Sequence, residues 1–384
     1  MLSSSPLPLW RDLIVGACAA VLKAKRLFTS LRSVALTALR PLRGLRAVRV
    51  RSLPVPRLDL APNRLRSSVV FALVFGVVTT WISPAKAEPQ ALGFGVERLS
   101  PSAPGAGWFV LDSLDMHGGF GGVMGLTLGY AHNPLVIDRG GQHLAVISNQ
   151  AFVDFGFALT YDRFRLYTNF DRPLVIEGKS GTALGRTFTA PGINPATPPD
   201  VLTDVRIGFD ARLVGSETSP FRLGAGIQLL APNGERENYE TDGTYRVMGR
   251  VLFAGDQGLF TYAGHLGVHV RPLNDAPTPE SPRGSELLFA AGGGVRLPVG
   301  GTSHVLVIGP EIFGASAFRA LFGGETTALE GLLSGRLEGT ASDGPQLRFK
   351  LGAGAGIDPR FGAPDFRMVF GIEVFDRGNS RHLK

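Results

Sequence analysis

From residue 120 onward the hydrophobic residues of this chain alternate with polar ones instead of running together. In 204–213, Val205, Ile207, Phe209, Ala211 and Leu213 fall on one face. Asp204, Arg206, Gly208, Asp210 and Arg212 fall on the other. Side chains alternate sides along an extended chain, so a period of two marks a strand with two unlike faces. The pattern recurs in 221–230, 260–270, 347–356 and 366–375. In the second of these, Phe260, Tyr262, Leu266, Val268 and Val270 oppose Thr261, His265 and His269. It predicts about twelve strands, over 120–131, 144–160, 163–176, 203–214, 220–230, 244–254, 259–271, 285–297, 304–314, 327–339, 346–357 and 366–375. The i, i+3, i+4 spacing of a helix is not sustained anywhere in this region.

The connections alternate too. Short ones fall at 161–163, 215–219, 255–258, 299–303 and near 342–345. Longer ones fall at 132–143, 177–202, 231–243, 272–284, 315–326 and 358–365. Tight turns at one end and long loops at the other are the pattern of a membrane barrel. In lipid every peptide group needs an internal partner, so a spanning sheet has to close on itself. Closure puts one face of each strand in lipid and the other in the lumen. Leu and Phe alternating with Arg, Asp and Gly then make sense. The expected fold is all-β: a transmembrane antiparallel up-and-down β-barrel over 117–376, with short periplasmic turns and long outer loops.

One uninterrupted low-polarity run stands apart, the 14 residues from Val69 to Ile82. A spanning helix needs about 20. Arg64 and Arg66 precede the run; Pro84 and then Ala85-Lys86-Ala87 follow it. A basic flank, a short apolar core and an A-x-A site describe a secretory signal peptide. Residues 64–87 are therefore expected to be removed, with Ala85 and Ala87 as the small residues of the cleavage site. Export of this kind leads to the bacterial outer membrane, with the lipid bilayer and the barrel-assembly machinery as partners.

Charge supports the division. The chain holds 39 Lys+Arg and 32 Asp+Glu; 14 and 2 of these lie in residues 1–87, leaving 25 and 30, a net of −5. The basicity thus belongs to the leading part, and a nucleic-acid partner loses its support. Residues 1–63 are expected to be a basic extension outside the mature protein, from a reading frame that starts too early. Residues 88–116 form a segment ahead of the barrel, and 377–384 a short tail. The single cysteine, Cys18, lies upstream, so no disulfide or thiolate chemistry is expected in the mature chain.

Several stretches resemble the barrel half of porin-like, OmpA-family outer-membrane proteins. They are GFGVERLSPSAPGAGWFVLDS from Gly93, GLTLGYAHNPLVI from Gly125 and SNQAFVDFGFALTYDRFRLYTNFDRPL from Ser148. IQLLAPNGERENYETDGTYRV, GSELLFAAGGGVRLP and GAGIDPRFGAPDFRMVFGIEV continue the series. The likeness covers most of 93–376. It implies an outer-membrane barrel and a channel, and supplies no catalytic residues.

The inward positions carry Arg165, Arg206, Arg212, Arg222, Arg246, Arg250, Arg296, Arg336, Arg348, Lys350 and Arg367. Their acidic company is Asp154, Asp204, Asp210, Glu286, Glu311, Glu330 and Glu373, and His265 and His269 join them. Glu235, Glu237, Glu240 and Asp242 are assigned to an outer loop. A basic excess on a pore wall selects anions. The expected function is a porin-like channel for small anionic solutes. The alternative is a structural or adhesive barrel whose opposite charges pair and close the lumen.

Other chemistry finds little footing. Gly178-Lys179-Ser180 ends like a phosphate-binding loop, but its first glycine would be Pro173. His265 and His269 would stand about 13 Å apart on an extended strand, too far for one metal ion. No G-x-S-x-G accompanies Ser148, Ser334 or His304. The glycine runs 292–294 and 352–356 read as small residues on a crowded wall. No enzyme activity, cofactor or metal is expected.

Overall fold

The structure is a computed structural model. It describes residues 93–116, 119–139, 141–184, 186–274, 276, 282–300, 304–339, 345–358 and 362–376. The extension 1–63, the signal segment 64–87 with Ala85 and Ala87, and the tail 377–384 lie outside the described residues.

Twelve strands form a closed antiparallel barrel. They are β1 (Phe120–Arg139), β2 (Gln142–Tyr161), β3 (Phe164–Glu177), β6 (Asp204–Val214), β7 (Arg222–Pro232) and β8 (Arg246–Gln257). β9 (Phe260–Val270), β10 (Glu286–Val299), β11 (His304–Ala317), β12 (Thr327–Gly339), β13 (Gln346–Asp358) and β14 (Phe366–Asp376) complete the set. Each pairs with its neighbours along the chain. β14 closes the ring on β1, in register from Gly122 opposite Asp376 to His132 opposite Phe366. Two short strands, β4 (Gly181–Ala183) and β5 (Arg186–Phe188), form a separate hairpin within the connection from β3 to β6.

The first long connection differs from expectation. Most of 132–143 is strand, because β1 and β2 stay paired out to Arg139 opposite Gln142. The reason is apolar. Leu135, Ile137, Val146 and Ile147 project beyond the barrel and bury in a cluster with Phe94, Ile176, Phe188, Tyr239 and Leu273. Burial at about 25 cal/mol per Å² holds the extended hairpin and the long loops together.

The burial pattern is inverted relative to a water-soluble protein. Along β6, Asp204, Arg206, Asp210 and Arg212 are buried while Ile207 and Phe209 are exposed. Leu166, Ile227, Leu266, Leu333 and Leu351 are likewise exposed on their strands. Such an outward apolar band is what a lipid-facing wall requires. Leu351 is 59% exposed, and Leu351→Arg is expected to destabilise the membrane-embedded barrel by about 2–4 kcal/mol at mid-depth. Urea unfolding in lipid vesicles measures this, with Leu351→Phe as the near-neutral control. Arginine on the inner side would be accepted better only where the wall is open, and it is crowded. A Cβ at Gly208 would sit 2.2 Å from Tyr167 Cζ, and one at Gly352 2.8 Å from Val369 Cγ2.

Candidate functional site: a lumen closed by the chain itself

The segment 93–116 lies inside the barrel. Sequence reading placed it ahead of the barrel without a structural role. It begins at the long-loop end, where the Gly95 N–H donates to Asp242 Oδ1 at 3.0 Å and the Val96 N–H to Tyr239 O at 3.2 Å. It ends at the short-turn end, where Leu114 O accepts from Arg212 at 3.0 Å and β1 follows. Between these points it doubles back on itself. The Ser102 N–H donates to Phe109 O at 2.7 Å and the Ser113 N–H to Ala106 O at 3.0 Å. Gly105 and Gly107, at φ 87° and 92°, allow the reversal.

Leu99, Trp108, Phe109, Val110, Leu111, Leu114 and Met116 from this segment form an apolar cluster with Phe152, Leu252, Val307, Phe313, Leu332 and Val369 of the wall. The wall makes room by omitting side chains. A Cβ on Gly292 would lie 2.6 Å from Leu111 Cδ1, one on Gly294 3.0 Å from Trp108 Cη2, and one on Gly224 2.8 Å from Leu114 Cδ2. Gly352 stands in the same relation to Phe109, and Gly156 to Pro104. Within the glycine runs, Gly292, Gly294 and Gly352 are sockets for the plug.

Polar contacts lock it. Glu311 is fully buried and its carboxylate accepts the peptide N–H groups of Phe109, Val110 and Leu111 at 3.1, 2.8 and 3.3 Å. Arg165 bonds Asp112 of the plug and, at 3.0 Å, Asp210 of the wall. Arg206 donates to Ser100 Oγ and Pro101 O at 2.8 and 2.9 Å while paired with Asp154 at 2.6 Å and Asp171 at 3.3 Å. Lys350 Nζ donates to Trp108 O at 3.2 Å and Glu373 at 2.8 Å. Arg336 lies over the Trp108 ring at 4.7 Å. Arg367 joins Glu97 of the plug to Glu330, both at 2.8 Å.

The other predicted inward residues pair along the wall. Arg348 bridges Glu338 and Glu373, each at 2.7 Å. Arg246 bonds Asp204, and Glu286 meets Arg271 at 2.6 Å and His269 at 3.6 Å. Arg222 and Arg296 share Asp256 at the short-turn end, at 2.7 and 3.0 Å. Arg250 and His265 line a cavity in the long-loop half.

Two loop carboxylates turn inward. Asp242 and Glu240 lie in the connection between β7 and β8, and both are buried. Burial alone would raise the Asp242 carboxyl, but the Arg271 guanidinium at 2.6 Å and Arg246 outweigh it and hold it below the usual range. Burial pushes the neighbouring Glu240 carboxyl up to about 7 and the Tyr239 phenol up to about 12. The charge count changes as well. Asp171, Asp242, Asp256 and Glu338 join the interior pairs on the acidic side and Arg271 on the basic side. Over the residues named, the basic excess falls from four to one.

Sequence reading missed Glu97, Asp112 and the apolar face of the plug. Trp108-Phe109-Val110-Leu111 was the available signal: four consecutive apolar residues, out of period with a two-faced strand, just ahead of β1.

Among solved structures the chain is similar to an outer membrane channel from Pseudomonas putida F1, at 14% identity over 68% of this chain and 95% of that one, TM-score 0.43. It is also similar to the NanC porin, at 8% identity over 66% and 98%, TM-score 0.38. A third is the CymD monoaromatic hydrocarbon channel, at 9% identity over 70% and 91%, TM-score 0.34. No protein-family model and no curated protein matches the chain.

Proposed function

We propose that this chain is a bacterial outer-membrane barrel whose lumen is closed at rest by its own N-terminal segment. The observation that carries the reading is the seating of 93–116 through the lumen, with three peptide N–H groups on Glu311 and wall guanidinium groups clamping it from several strands. Of the two functions the sequence left open, this geometry favours the closed barrel over a freely open pore. Conduction, where it occurs, requires the segment to move. The exposed apolar band supports insertion in lipid, and insertion calls on the barrel-assembly machinery. Export through a cleaved signal peptide at 64–87 and membership of the OmpA family rest on sequence alone. No reaction chemistry is part of this reading.

The purified protein should fractionate with outer membranes, shift mobility on heating and pass almost no current in planar bilayers. A large, steady single-channel conductance would overturn the closed lumen.

A second test follows from polarity. The described chain starts at the long-loop rim, beside Arg236 and Tyr239. An epitope fused directly ahead of Gly93 should therefore be reached by antibody on intact cells, because the long loops face outward. Labelling only after the outer membrane is permeabilised would mean that the segment is not threaded this way in the cell.

A further inference from the structure

The plug does not fill the lumen evenly. In the long-loop half, a cavity of about 130 Å³ remains between Leu99 and Val110 of the plug and the barrel wall. One side is apolar, with Leu288 and Phe313 facing those two plug residues. The other side is the inner face of β8 and β9. There Met248 stands opposite His269, Arg250 opposite Gly267, and Leu252 opposite His265. Arg250 therefore sits between two imidazoles along one face. Gly267 leaves it that place: a Cβ there would lie 2.9 Å from Arg250 Cγ.

This cluster differs from most other cavity-lining charges, Glu240 excepted, which accepts from the Glu235 N–H at 2.9 Å. Asp171, Glu286 and Glu330 each have a guanidinium within 3.3 Å, and Asp204 is bonded to Arg246. Arg250 donates to Tyr167 Oη at 3.0 Å, but its carboxylate neighbour, Asp210, is 3.6 Å away with its other oxygen on Arg165. Arg250 Nε, His265 Nδ1 and His269 Nε2 are buried without a hydrogen-bond partner. A buried polar group left so is unfavourable until a partner reaches it. Three of them among residues on one wall of a cavity, one on a guanidinium whose carboxylate stands at 3.6 Å, describe a receptor for an oxyanion.

We propose that this cavity binds a small organic monocarboxylate. Its carboxylate lies against Arg250, His265 and His269, and its apolar tail against Leu99, Val110 and Phe313. One guanidinium whose own carboxylate stands off at 3.6 Å, with Nε unpartnered, matches one ligand carboxylate. A dianion would bring a second charge to a place where the remaining cations are already paired. The apolar side selects a hydrocarbon tail, as in small-molecule sites that combine apolar lining with a few fixed polar groups. The proposal rests on the closed-lumen reading, because plug residues, Leu99 and Val110 among them, form part of the cavity wall.

The test uses the full-length protein in detergent at constant ionic strength, following its heat-dependent mobility shift. Butanoate, hexanoate, hexanamide and inorganic phosphate are the probes. Butanoate and hexanoate should raise the unfolding midpoint saturably; hexanamide and phosphate should not. Arg250→Gln should weaken hexanoate binding by about tenfold or more, from the loss of a charge-assisted hydrogen bond. His265→Leu should weaken it less, and Arg250→Lys should restore part of it. Variants that retain the wild-type mobility shift are compared, so misfolding is read separately. Equal stabilisation by hexanamide, a response to phosphate matching that to hexanoate, or unchanged affinity in a folded Arg250→Gln would overturn the proposal. So would a silent, folded wild type with no midpoint shift, and that result leaves the closed lumen standing. High basal conductance in the same preparation would instead overturn the closed-lumen reading itself.

Discussion

Deleting residues 96–113 is expected to turn a nearly silent barrel into a conducting pore, the largest functional change any variant of this chain should show. The wall keeps its own ion pairs without the plug: Arg206 with Asp154, Arg348 with Glu373, Arg246 with Asp204 and Arg367 with Glu330. Closure of the sheet depends on the strand pairing of β14 with β1, which the plug does not supply. Glu311 loses its three peptide donors, but water entering the lumen replaces them. The deletion variant should therefore still insert and show the heat-dependent shift. In planar bilayers it should pass steady current where the full chain passes almost none. The near balance of wall charges argues for weak ion selectivity in this opened pore, in place of the anion preference expected from the sequence. Reversal potentials in a salt gradient measure it. A folded deletion variant that remains silent would mean that the wall charges, and not the plug, close the lumen.

Arg165→Met is expected to cost about 3–5 kcal/mol, the range for breaking a buried ion pair from one side. Arg165 is 1% exposed and lies between Asp112 and Asp210, both buried. Removing the guanidinium leaves two carboxylates facing a site built for a cation. Because Asp112 belongs to the plug and Asp210 to the wall, the same change should loosen the plug and raise the frequency of open events. Combining Arg165→Met with Asp112→Leu should recover a large part of the loss, since replacing paired charges with apolar groups of similar size is often close to neutral. Urea unfolding in vesicles and bilayer recordings on the same variants report the two effects. Wild-type stability in Arg165→Met would show that the pair does not hold the plug.

The barrel was legible because its determinant is local. A strand between lipid and lumen needs a different residue type every second position, and Val205 to Leu213 spell this out without reference to any other part of the chain. Up-and-down topology followed from connection lengths, another local property. Even the inward charges could be named, since facing is decided by parity alone.

What the charges meet could not be read this way. Glu311 accepts N–H groups from residues 200 to 202 positions earlier, and Lys350 reaches Trp108 across 242. Residues 93–116 have no repeating pattern, because a plug contacts a different strand at each step and no single period describes its surroundings. The extended hairpin of β1 and β2 likewise depended on apolar partners from four distant segments. Asp242 was assigned only to a loop, and it is the distant Gly95 and Arg271 that hold it buried there. Alternation along the chain determined that a barrel forms and which way its residues face. The closed sheet alone decided that its lumen is occupied, because the space a plug must fit exists only once twelve strands have met.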